Sequence, residues 1–127
     1  MNEEAGNSPA DDGERRRRRI EPLLPVLTAD LKAAGIKANP VFHVDWSGID
    51  DPGAMVEWKD YSYAVCLWWD PKPDEEGEDT DDGAWVVDRQ WEGDVAEIHR
   101  GADLAELRAR FIDAVKQGIE RAGEPDT

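Results

Sequence analysis

Only two histidines occur in the 127-residue chain, His43 and His99, and each lies near carboxylates. His43 alternates with Asp45, and Glu57 follows in the next extended segment. Histidine with carboxylates is the residue combination that binds metals or runs acid–base chemistry near neutral pH. His43, Asp45, Glu57 and His99, with Glu97 nearby, therefore form one candidate ligand or metal site. Such a site requires these side chains to converge on the outward face of a sheet. The same alternation is also what the solvated side of any antiparallel sheet shows.

A second constellation is purely acidic. Between Pro71 and Gly83 stand Asp74, Glu75, Glu76, Glu78, Asp79, Asp81 and Asp82 against Lys72 alone. The spacing fails as an EF-hand: counted from Asp79, Gly83 falls at position five and Gln90 at position twelve, where Gly belongs at six and Glu at twelve. A solvated loop, a docking surface for a basic partner or a looser divalent-cation site are the readings left for this stretch. Trp68, Trp69 and Asp70 precede it and Trp85 follows. A tryptophan left exposed here would suit an interface anchor, while the alternative is a core that occupies both faces of the sheet. Base stacking on tryptophan is disfavoured by a net charge of −15, which removes the electrostatic groove that single-stranded nucleic acid needs. Cys66, the single cysteine, lies within an apolar run and reads as a buried thiol. There is no Gly-rich phosphate loop, no Cys/His zinc spacing and no hydroxyl nucleophile with a His/Asp set.

The elements that must position these groups follow from periodicity. Tyr63-Ala64-Val65-Cys66-Leu67-Trp68-Trp69 is uninterruptedly apolar and bounded by Asp60 and by Asp70-Pro71. It predicts a central strand covered on both faces. Val41 to Trp46 alternates, with Phe42, Val44 and Trp46 on one side. Ala54 to Lys59 alternates likewise, with Val56 and Trp58 opposite Glu57 and Lys59. The short Lys59-Asp60-Tyr61 connection predicts an antiparallel hairpin into the central strand. Ala84 to Gln90 and Val95 to His99 predict two further strands.

Leu24, Leu27, Leu31 and Ala34 trace a helix over about 20–34, with Pro22 and Pro25 in its first turn and Gly35-Ile36 as its C-terminal cap. Asp103 and Glu106 predict a capping box ahead of a helix carrying Leu104, Leu107, Phe111, Val115 and Ile119, which closes near Ala122-Gly123. The expected fold is α+β. It is a five-stranded, mostly antiparallel meander in the order αβββββα, with the N-terminal and C-terminal helices on one face.

Residues 1–19 read as a disordered tail that includes the arginine run Arg15 to Arg19. Residues 20–123 read as a single domain with a mobile acidic loop at 71–83, and 124–127 as a short C-terminal tail. No apolar run reaches membrane-spanning length, and Glu21, Pro22 and Pro25 interrupt any secretory h-region. A lone cysteine requires no oxidising compartment, so the expected location is cytoplasmic. The charge should repel nucleic acid and acidic membranes and favour basic proteins. These features favour a non-catalytic module over an enzyme. It would need no cofactor, and it would bind and inhibit or escort a basic partner protein through Trp68, Trp69, Asp70, Asp74, Glu75, Glu76, Glu78, Asp79, Asp81, Asp82 and Trp85. Immunity proteins, secretion chaperones and DNA mimics share this charge logic. A small enzyme or ligand- or metal-binding domain on the polar open face of the sheet is the alternative, and a structural or oligomerising role is the third option.

Overall fold

The computed structural model describes residues 9–43, 52–60, 62–77 and 79–123, without the side chains of 9–14, 79 and 81. Helices α1 (Pro9–Ile20) and α2 (Leu23–Ala33) precede strands β1 (Val41–His43), β2 (Gly53–Trp58), β3 (Tyr63–Pro73), β4 (Asp79–Trp91) and β5 (Asp94–Gly101). Helix α3 (Leu104–Ala122) closes the chain. The strands form one antiparallel sheet in the spatial order β1-β2-β3-β4-β5, a meander. The α+β class and the αβββββα order expected from periodicity hold, with the N-terminal helical part built as two helices. Among the described residues no helix is long and apolar enough to cross a membrane.

β3 is the central strand, and every residue from Tyr63 to Trp69 is buried. Strand alternation sends Tyr63, Val65, Leu67 and Trp69 to one face. There they meet Val56, Trp58, Trp85, Val87 and Trp91 from neighbouring strands, and Leu27, Leu31, Leu107, Phe111 and Val115 from α2 and α3. Helix α3 comes so close that a Cβ on Gly118 would stand 2.7 Å from the Trp58 ring and 2.9 Å from the Trp91 ring. Glycine in a helix interior costs about 1 kcal/mol relative to alanine, so its place here is explained by that approach. A bidentate pair at 2.8 Å, Arg108 on Asp30, ties α3 to α2.

The second face departs from expectation. In place of a polar open side, its centre is an apolar buried cluster of Met55, Ala64, Cys66, Trp68 and Val86. Among these sits a buried carboxylate, Asp88, which accepts a 2.9 Å hydrogen bond from the Trp68 indole N–H. Cys66 is fully buried, as its place in the run predicts. Two cores, one on each side of β3, account for the unbroken apolar run; only the larger includes helices.

Local chemistry explains most boundaries. Gly35 at φ +77° and Ile36 end α2 as a Schellman motif, with the Gly35 N–H on the Lys32 carbonyl and the Ile36 N–H on the Leu31 carbonyl. Glu92 and Gly93, both at positive φ, make the two-residue turn between β4 and β5. Asp103 caps α3 by accepting from the Ala105 N–H. Glu106 does not complete a capping box, because its carboxylate lies 3.2 Å from His99 Nε2.

Two expectations need correction. The tail expected to be disordered through Arg19 includes α1, because Ile20 is fully buried and two of its arginines find aromatic faces: Arg17 on Phe42 at 5.1 Å and Arg19 on Trp69 at 4.4 Å. The acidic segment 71–83 is mostly strand. β3 continues to Pro73 and β4 begins at Asp79. Both prolines are tolerated because the outer hairpin has no third strand among the described residues whose carbonyls would need the N–H that proline lacks. The register shifts between Pro71 and Pro73, and the Thr80 hydroxyl there donates to the Lys72 carbonyl at 2.7 Å.

Candidate interaction surface

The β3–β4 hairpin is longer than its neighbours. β2 ends with Gly53 opposite Trp68, and β5 ends with Gly101 opposite Trp85. Beyond those pairs, with no flanking strand among the described residues, the two strands run on as a two-stranded ribbon, Asp70 to Pro73 against Asp79 to Ala84. From Asp70 to Pro73 this adds roughly 13 Å at a strand rise of about 3.3 Å per residue. The root of the ribbon is still packed, with Pro71 buried, and exposure begins at Lys72. At the tip the Gly77 N–H donates to the Asp74 carbonyl, and the Glu76 N–H donates to Asp74 Oδ1 at 2.8 Å. Asp74 thus builds the turn that carries the acids, as an aspartate at the first turn position often does.

Asp74, Glu75, Glu76 and Asp82 are exposed on this ribbon. Glu78 lies outside the described residues, as do the side chains of Asp79 and Asp81, whose backbone belongs to β4. Asp70 is half-buried at the root. The tryptophans do not flank the acids as exposed anchors. Trp68, Trp69 and Trp85 are 9%, 7% and 8% exposed. Trp69 and Trp85 meet edge to face at 5.0 Å beneath the ribbon, on the helix side, and Trp68 belongs to the opposite core. A strand buried on both faces removes the reason to expect an exposed indole.

The histidine constellation does not converge. His43 lies on β1 and His99 on β5, at opposite edges of the sheet, four strand spacings or on the order of 19 Å apart. They also face opposite sides. Register places His43 across from Gly53, on the side of Met55 and Trp68, whereas His99 pairs across from Val87 and reaches Glu106 on α3. A β-bulge at Ile98 is the cause. Asp88 pairs with Glu97 and Val87 with His99, so the extra residue turns His99 away from the face that Glu97 occupies. Glu57 is half-buried on β2, and Asp45 lies outside the described residues. Among the described residues no group of three His, Cys, Asp or Glu is arranged to hold a metal ion.

Sequence reasoning missed Arg100. From β5 its guanidinium takes Glu97 with two bonds, of 2.7 and 3.1 Å, and reaches over β4 to Asp70 at 2.8 Å. The bonded guanidinium holds the Glu97 carboxyl below its ordinary range, against a smaller opposing effect of burial. Arg100, Asp70, Asp82, Pro71, Lys72, Pro73, Gly83 and Ala84 line an open groove of about 530 Å³ at the ribbon root. No linear signal joins Asp70 to Arg100, since only the register brings them together. Arg89, on the helix side, pairs with Asp94 at 3.2 Å and lies over Trp91.

No protein-family model matches the chain, and no curated protein or solved structure matches it either.

Proposed function

We propose that the protein is a non-catalytic interaction module that binds a basic partner protein, inhibiting or escorting it, with the acidic ribbon as its docking element. The observation that carries this reading is the ribbon itself: residues 70–84 extend past both flanking strands and hold eight carboxylates against Lys72 alone. Concentrated charge on a projecting element steers diffusional encounter with an oppositely charged cleft. A two-stranded ribbon is also narrow enough to enter a groove, which suits a partner whose basic groove serves nucleic acid. Immunity-like, chaperone-like and DNA-mimic roles all have this logic, in a cytoplasmic setting.

The burial of Trp68, Trp69 and Trp85 shifts the expected contact. Carboxylates supply it, together with the exposed Pro73, and no indole anchor contributes. The test is capture of partners from the source cells by the intact chain and by a chain with Asp74, Glu75, Glu76, Glu78, Asp79, Asp81 and Asp82 changed to Asn or Gln. A basic protein retained by the first and lost by the second supports the reading. Equal retention by both would overturn it.

A further inference from the structure

The arginine run and the Asp70–Arg100–Glu97 cluster are both left unused by a docking role for the acids, and both end at the ribbon root. On the helix face, the Arg19 guanidinium lies 4.4 Å from the Trp69 ring centroid, and Trp69 in turn meets Trp85 at 5.0 Å. Trp69 and Trp85 are Cα partners, the last cross-strand pair flanked by β5. On the opposite face, Arg100 bonds Asp70, which is one residue further out and pairs with Ala84. One residue beyond these two contacts, where Pro71 pairs with Gly83, the backbones are in tight apposition. A Cβ on Gly83 would fall 2.4 Å from the Asp70 carbonyl oxygen and 2.8 Å from Pro71 Cα.

A two-stranded ribbon with no flanking strand has little of its own to resist bending or twisting. What the root contacts provide is orientation. The Glu97 side chain takes two guanidinium bonds of Arg100, so the third is directed at Asp70 by a head group that is already held. Arg19 acts through a ring that is itself fixed by burial, from a helix anchored at Ile20.

We propose that Arg100 and Arg19 are positioning residues for the ribbon, gripping its root from opposite faces of the sheet so that it projects in one fixed direction. The purpose of the grip rests on the docking role above, but the grip itself is measurable without any partner. Orienting a binding element before encounter lowers the ordering cost of association, which is the benefit this device would bring.

Amide hydrogen exchange on the full-length chain tests it. Arg100→Gln and Asp70→Asn should each speed exchange at Asp70, Lys72 and residues 79–84 roughly fivefold, with residues 63–68 and 86–91 unchanged. Combining the two should add almost nothing, because both remove one contact. About 1 M salt should likewise speed ribbon exchange in the parent chain and have little effect in Arg100→Gln, because a half-exposed pair is screened. Arg19→Gln should loosen the same segment and Arg19→Lys should restore part of it. Unchanged ribbon exchange in folded Arg100→Gln and Asp70→Asn, or additive effects of the two, would overturn the Arg100 half. Faster exchange confined to α1 in Arg19→Gln would overturn the Arg19 half. If instead the ribbon loosens as described and partner capture is unaffected by the seven acid changes, the grip stands and the docking role falls.

Discussion

The inner and outer halves of the β3–β4 hairpin share a backbone plan and differ in almost everything else. The inner half, Tyr63 to Trp69 against Trp85 to Trp91, is flanked by β2 and β5, and its β3 strand is buried on both faces. The outer half, Asp70 to Pro73 against Asp79 to Ala84, has no flanking strand among the described residues and is exposed at Lys72, Pro73 and Asp82. A single pair of strands thus passes from a core element to a charged projection within two residues. Burial makes the inner half intolerant of change, and lack of burial leaves the outer half available for electrostatics.

Substitutions should separate the halves most sharply at the tryptophans. Trp85→Ala empties a site beneath the ribbon that Trp69 also lines, and should cost about 3–5 kcal/mol in denaturant unfolding. A cost under about 1 kcal/mol would mean that the inner half is not packed as described. At the boundary, Gly83→Ala places a methyl against the Asp70 carbonyl and Pro71 Cα, which are backbone and cannot swing aside. Such overpacking should cost about 1–3 kcal/mol and shift the ribbon amides in nuclear magnetic resonance spectra more than those of Tyr63 to Leu67.

Acid should act more gently, and on the root alone. Glu97 has its pKa lowered by the Arg100 bonds, so the contact is complete above the ordinary value of 4.5 and is lost as pH falls through the lowered one. Asp70 and Asp88, from β3 and β4, are the other carboxylates near this group, and Arg100 keeps its charge throughout. Protection factors of ribbon amides should therefore hold from neutral pH to about 4.5 and decline below it, ahead of those of the inner half. Simultaneous loss from both halves would place the effect in global unfolding.

The contrast between the halves was only partly legible in the sequence. Period-two alternation in Ala54 to Trp58 and the apolar run of β3 predict strands because each strand's side chains must match the faces they enter. The Gly35 and Asp103 caps were visible for the same local reason. The ribbon was not, because prolines, glycines and like charges are the composition of a loop. What overrides it is pairing across the turn at Asp74, helped by the Thr80 hydroxyl. The helix through the arginine run was hidden too, since its anchor is the burial of Ile20 and the rings of Phe42 and Trp69, all contacts distant in sequence. The histidine site fails twice, on strand order, which sets His43 and His99 at opposite edges of the sheet, and on one inserted residue. The bulge at Ile98 shifts the phase of β5, and alternation read along the chain carries no sign of it.

The most direct test of the docking role is the association rate of the captured partner as a function of ionic strength, for the intact chain and for the chain with all seven acids of 71–83 neutralised. The intact chain should lose association rate by roughly tenfold or more between low and high salt, and the neutralised chain should associate slowly with little salt dependence. Unfolding free energies of the two chains should agree closely, since Asp74, Glu75, Glu76 and Asp82 are exposed and an Asn at 74 can still accept the Glu76 N–H. An association rate that is indifferent to salt in the intact chain, or equal in the two chains, would contradict the assignment of the outer half as the docking element.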